Sequence, residues 1–156
     1  MQDKALIRPV VPSDYPSIEA ITGEVFEPAS IDALVEKMIG GKPWLEVKMV
    51  AVRRELENGP HLCAVAEFDG KVVGFVTNIV DQVASRGIIA NLAVSRVAQG
   101  LGLGRRLIQW SLDLFRSLNL QQAKIETLAT NEVGRHLYPT LGFREIVQQV
   151  HYIMPL

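Results

Sequence analysis

The sequence predicts a mixed α/β (α+β) fold on one central sheet, and three observations predict it. After one short strand the first third reads as helix; the middle carries two β-rich runs joined by Asp69-Gly70; the remainder alternates strand with helix. Asp-Gly between such runs is the two-residue signal of a type I′ hairpin, which makes the middle an antiparallel meander. Strands separated by a helix need crossover connections, so the second half adds strand-helix-strand units to that meander.

Each element has its own local signal. "KALIRPV" is a short strand, and Pro12 with Ser13 opens a helix near "SDYPSIEAITGEV", with Ser13 or Asp14 as the cap. "SIDALVEKMIG" is a second helix, capped by Ser30 and closed by Gly40 and Gly41. "PWLEVKMVAVRRELENG" is a third, starting at Pro43 and stopping at Asn58-Gly59. "HLCAVAEFDGKVVGFVTNIVD" holds the hairpin and "SRGIIANLAV" a further strand. In "RRLIQWSLDLFRSLNL" the helical spacing of Leu107, Trp110, Leu114 and Leu118 predicts one stripe buried against the sheet. Strand "QAKIETLA", short helix "NEVGRHLY" and a last strand "REIVQQVHYIM" complete the chain.

Composition narrows the function. The 156 residues, 48% of them hydrophobic, predict a single domain over residues 1–156 with a sizeable core. With 16 Lys+Arg against 17 Asp+Glu, the net charge of -1 offers no field for nucleic acid or an anionic membrane. Arg53, Arg54, Arg105 and Arg106 lack the broader basic face that nucleic acid requires. Cys63 is the only cysteine and reads as core, which excludes internal disulfides and cysteine-rich zinc patterns. His61, His136 and His151 have no metal-ligand spacing, so no metal is expected. No apolar run approaches the roughly 20 residues of a membrane span, and "MQDKALIRPV" lacks a signal peptide's apolar stretch. The expectation is a soluble cytoplasmic protein.

The chemistry starts at "AQGLGLGRRL". A Walker loop needs Lys and then Ser or Thr after its last glycine, where this chain has Arg105 and Arg106. A dinucleotide fingerprint needs two residues between its second and third glycines and an early strand before it; Gly102 and Gly104 are one residue apart and follow a meander. The stretch matches Gln-x-x-Gly-x-Gly at Gln99, Gly102 and Gly104, and so resembles the pyrophosphate-binding signature of the GNAT superfamily of acyl-coenzyme-A-dependent N-acetyltransferases. Glycines there let backbone N–H groups close on an anion, and the helix start adds a positive dipole end. A second motif agrees: in "TNEVGRHLYPTLGF", Asn131, Tyr138, Gly142 and Phe143 stand where the superfamily opens a short helix, places a Tyr and enters its last strand. "VAEFDGKVVGFV" is similar to the superfamily's central hairpin.

The resemblance covers roughly Ala5 to Met154 and implies a GNAT fold, a mostly antiparallel sheet of about six or seven strands with helices on both faces. It implies acetyl-coenzyme A as acyl donor and direct transfer to a primary amine of a small molecule or peptide in a ternary complex. By position, Leu92, Ala93 and Val94 would contact the coenzyme through the main chain, with the Ala93 or Val94 N–H as an oxyanion donor. Gln99, Gly100, Leu101, Gly102, Leu103, Gly104 and Arg105 would hold the pyrophosphate, and Asn131 would touch the pantetheine arm or cap its helix. Tyr138 is the implied general acid. Glu126 is the first choice of general base and Glu67 the second, with a water relay as the third route. Phe26, Trp44 and Tyr152 either wall an acceptor cleft, with Glu24, Glu27 or Asp32 drawing in a cation, or pack the helices together. A noncatalytic acyl-coenzyme A sensing module is the alternative on the same fold. The oligomeric state stays open between monomer and homodimer.

Overall fold

The computed structural model describes residues 5–156, so the Lys4 start of the expected first strand lies outside the described residues. Strand β1 (Ala5–Pro9) leads into α1 (Tyr15–Val25), α2 (Ile31–Ile39) and α3 (Trp44–Asn58). Strands β2 (Ala64–Phe68), β3 (Lys71–Asp81) and β4 (Arg86–Val94) form the meander, followed by α4 (Leu103–Ser117), β5 (Gln122–Ile125) and α5 (Glu132–Thr140). The sheet order is β1-β2-β3-β4-β5, antiparallel through β4 and parallel from β4 to β5 across α4.

The local signals work where a single residue decides the backbone. Asp69 and Gly70 both have positive φ, 49° and 74°, as a type I′ turn demands. The Ser30 side chain accepts from Ala33 N–H and caps α2. Neither Ser13 nor Asp14 caps α1 with its side chain. Instead the Asp14 carboxylate accepts from Val11 N–H and from the Arg8 guanidinium, which holds it below the usual carboxylate range.

Alternation along the strands divides the core into two layers. Val65 and Phe75 point to one face, where Ile18, Ile21, Met49, Val52 and Leu56 of α1 and α3 cover them. Ala64, Ala66 and Val76 point to the other, under Leu103, Leu107, Ile108 and Phe115 of α4. The buried stripe of α4 therefore runs through Leu103, Leu107, Ile108, Ser111 and Phe115 rather than through the predicted Trp110, Leu114 and Leu118, of which Leu118 is exposed. The predicted stripe is rotated by about one residue on a helix that buries five positions. Gly87 of β4 lies under Phe115 so closely that a Cβ would stand 2.3 Å from its ring.

One expected element is missing. Among the described residues the sheet has five strands rather than six or seven, because residues 144–156 join no ladder and all of them are exposed. Alternation in "REIVQQVHYIM" marks a segment able to be a strand, but a strand exists only when an edge pairs with it.

Candidate active site

Strands β4 and β5 pair only from Arg86↔Gln122 to Ile89↔Ile125. Beyond Ile125 the chain leaves the ladder, so residues 90–94 of β4 have no strand beside them on that side. Main-chain groups facing such a gap must find partners. A bulge sharpens the fork: Thr77 pairs with Asn91 but Asn78 pairs with Ile89, which makes Ala90 an extra residue. Ile89 consequently packs into the α4 layer, whereas Asn91 turns to α3.

A cavity of about 120 Å³ occupies the mouth of this fork. Phe26, Leu92, Glu126, Asn131 and Tyr138, five residues singled out by sequence, line it together, joined by Lys48, Asn91 and Thr127. Tyr138 sits on α5, whose start is capped by the Asn131 side chain accepting from Gly134 N–H at 3.2 Å. Asn131 Nδ2 donates to Thr127 Oγ1 at 2.7 Å, which ties the cap to the fork's outer arm. Gly134 is needed here because a Cβ would come within 2.8 Å of Asn131 Nδ2 and 3.0 Å of the Tyr138 ring. Phe143 meets that ring edge-on at 6.3 Å. Burial pushes the phenol above its ordinary 10.0, partly offset by Thr127, so Tyr138 is a protonated donor throughout the neutral range.

The glycine loop lies at the other end of the exposed β4 segment. Gly100 and Gly102 have φ of 82° and 74°, and Leu101 between them is exposed. Gly102 is the left-handed N-cap of α4, which begins at Leu103 with its first N–H groups lacking helical partners. Gly104 has no positive φ, and a Cβ on it would meet nothing closer than 3.9 Å. Gln99 donates through Nε2 to Val94 O at 3.1 Å, fixing the loop to the end of β4. Arg105 donates to Thr140 Oγ1 at 2.7 Å and borders an open groove of about 500 Å³ between α4 and α5. Arg106 turns away, donating to Ala5 O of β1.

The two candidate bases are separated by the sheet. Glu126 is in the fork, its side chain 68% exposed and paired with Lys124. Glu67 stands on β2, two strands from β4, where Arg8 binds it at 2.9 Å. Of the predicted acceptor wall, Phe26 lines the cavity, but Tyr152 is 92% exposed on the unpaired segment. Glu24 is committed to Ser95 Oγ and Arg96 N–H.

The sequence reading missed a polar cluster beneath the cavity. Glu55 of α3 accepts from Thr77 Oγ1 and, at 2.7 Å, from Asn91 Nδ2. Asn91 also donates to Thr77 at 3.0 Å, and its buried Oδ1 has no partner among the described residues. Lys48, two turns before Glu55 on the same face of α3, lies 4.7 Å from the Phe26 ring centroid. Burial lowers its pKa, against the opposing pull of Glu55 and Asp32. The one available signal was charge on a buried stripe, since Lys48 and Glu55 flank the fully buried Val52.

Known proteins share this fold. The model of the acetyltransferase (GNAT) family matches residues 29–143. The chain belongs to the GNAT acetyltransferase family. Among curated proteins, this GNAT chain is 31% identical over 87 residues to an uncharacterized N-acetyltransferase of Methanocaldococcus jannaschii, covering 55% of this chain and 54% of that protein. It is 28% identical over 99 residues to an N-alpha-acetyltransferase of Sulfurisphaera tokodaii, covering 56% and 59% respectively. The matches thus span little more than half the length of these relatives. Among solved structures, the PaiA N-acetyltransferase of Thermoplasma acidophilum in complex with coenzyme A superposes with a TM-score of 0.70 at 15% identity, over 90% of this chain and 89% of that one. Among the described residues, no helix of this GNAT chain is long and apolar enough to cross a membrane.

Proposed function

We propose that this GNAT chain is an N-acetyltransferase that moves an acetyl group from acetyl-coenzyme A directly to a primary amine of a small molecule or peptide, with residues 1–156 acting as one domain. The observation that carries this reading is the fork itself, with a half-buried, protonated Tyr138 at the mouth of a sheet gap whose other end is a helix start preceded by left-handed glycines. The residues fit a long pyrophosphate-bearing thioester. On the fork side, where β4 has no strand beside it, alternation leaves the main-chain groups of Leu92 and the Val94 N–H for amide contacts, since Ala93 faces β3 and the Val94 carbonyl accepts from Gln99; the N–H groups from Gly102 to Arg105 suit a diphosphate without a metal. Asn131 serves first as the α5 cap and lies where it reaches the same cleft.

Bound acetyl-coenzyme A supplies the activated thioester. Glu126 accepts the proton that an incoming ammonium must lose, and Tyr138 Oη gives its proton to the departing sulfur. Asn91, its Nδ2 committed to Glu55 and Thr77, has only Oδ1 left and so accepts from an amine N–H.

The test is an amine panel with acetyl-coenzyme A, reading free thiol and acceptor mass. Acetylation of an amine is expected, with Glu126→Gln slowing it most at neutral pH and least at alkaline pH, where the amine sheds its own proton. If no amine is acetylated while the coenzyme still raises the melting temperature, the chain is a sensing module instead.

A further inference from the structure

Among the described residues that line the cavity of the fork, Lys48 is the one basic side chain and Glu126 the one acidic side chain. They come from different walls. Lys48 stands on α3 beside Phe26, the C-cap of α1, whereas Glu126 follows β5 and shares its wall with Asn131 and Tyr138. Glu126 has Lys124 as its ion-pair partner. Lys48 has none among the described residues. Glu55 and Asp32 draw on it through space without pairing, and Glu55 Oε2 already accepts from Thr77 and Asn91. What Lys48 does meet is the face of the Phe26 ring, which fixes an ammonium in place without neutralising it. Burial meanwhile penalises the charge and lowers the pKa of this lysine. A cation held in this way gains most from an anion that enters the cavity.

Size and charge narrow that anion. A cavity of about 120 Å³ has the liquid volume of about four waters, so the amine and the anionic group of an acceptor must lie within a few bonds of each other. One lysine is a point charge that balances one negative charge, and the Glu126 carboxylate in the same cavity repels a dianion such as a phosphate monoester. A carboxylate meets both conditions. Asn91 sets the orientation, because its unpartnered Oδ1, in a residue only 5% exposed, accepts from an amine N–H and repels carboxylate oxygens. Resting on the acetyl transfer proposed for this fork, we infer that the acceptor carries a carboxylate within a few bonds of its amine and that Lys48 is the specificity residue that binds it. The α-carboxylate of a free amino acid and the side chain of an acidic first residue in a peptide both present this chemistry.

The test uses two matched pairs at equal concentrations of free amine: an amino acid against its carboxamide, and a peptide beginning with Asp against one beginning with Asn. In at least one pair the parent is expected to favour the carboxylate by at least about tenfold in kcat/KM, and that pair identifies the source. Lys48→Gln should lower this preference by at least about tenfold, mainly through KM, and Lys48→Arg should keep most of it. A parent without preference in either pair, a preference that survives Lys48→Gln, or equal losses on both members of a pair overturns the inference and leaves the acetyl transfer standing. If no amine is acetylated, the transfer itself fails, and calorimetric titration of the coenzyme-A-loaded protein with the N-acetylated members of each pair reads the carboxylate site directly. Tighter binding of the acid in the parent, lost in Lys48→Gln, keeps Lys48 as a carboxylate-binding residue; equal binding of acid and amide overturns it.

Discussion

The two sides of the fork are built from different kinds of sequence. On the loop side, seven consecutive residues from Gln99 to Arg105 set the shape, and two left-handed glycines with the start of α4 suffice to aim N–H groups outward. On the acceptor side, Phe26, Lys48, Asn91, Glu126 and Tyr138 come from separate parts of the chain and meet only because α3 and α5 pack across the sheet. Holding an anion with backbone is a local task, whereas placing an acid, a base and an amide around one carbon is a tertiary one.

The largest effect is expected where the sides meet. Tyr138→Phe keeps the ring packed on Phe143 and Gly134 but removes the proton held at Oη. Turnover should fall by about 10²–10⁴, with coenzyme affinity unchanged in titration calorimetry. The parent's acid limb should stay flat through neutrality and fall only above the ordinary phenol value of 10.0, because burial raises the folded group and retains its proton longer. A variant as fast as its parent would remove Tyr138 from the acid role and leave the acceptor side without its defining group.

The loop side can be split within itself. Gly102→Ala forces a Cβ onto a φ of 74° and should cost about 1–2 kcal/mol of unfolding free energy, with weaker coenzyme binding as the loop shifts. Gly104→Ala meets no such strain and has 3.9 Å of room, so it should leave the free protein unchanged or up to about 1 kcal/mol more stable. If Gly104→Ala nevertheless weakens the coenzyme, the role of that glycine is close approach to the ligand rather than backbone shape. Urea unfolding and calorimetry on both variants separate the two roles.

The same division explains what was legible. The hairpin, the Ser30 cap, the helix spans and the glycine loop follow from signals a few residues long, and the structure shows each of them. The α5 motif could be read because Asn131, Gly134 and Tyr138 contact one another within one helix. Glu55, Asn91 and Lys48 could not, since their meeting depends on a bulge at Ala90 and on which face of α3 lies over β4. The family-like spacing of Glu126 to Asn131 favours it over Glu67, and the structure has Glu126 in the fork just past β5 and Glu67 two strands from β4. Residues 144–154 alternate yet form no strand for the complementary reason: alternation specifies a pairing face but names no partner.

The smallest effect tests whether the buried cluster belongs to the acceptor side. Glu55→Gln keeps an oxygen to accept from Thr77 and Asn91 but removes the charge that strengthens both bonds, and should cost about 1 kcal/mol. It also removes part of the pull that offsets the burial of Lys48, so the folded lysine drops further below its ordinary 10.5. A lysine with a depressed folded pKa binds fewer protons than the unfolded chain between that pKa and 10.5, so stability rises with pH across that window. The deficit of Glu55→Gln should therefore be larger at neutral pH than at alkaline pH in urea unfolding. In the same variant the acceptor KM should rise while coenzyme affinity holds, because Asn91 is held by a weaker bond and the loop from Gln99 to Arg105 does not touch the cluster. Equal losses on both sides of the fork would mean that Glu55 supports the sheet as a whole and that the division drawn between the two sides is too sharp.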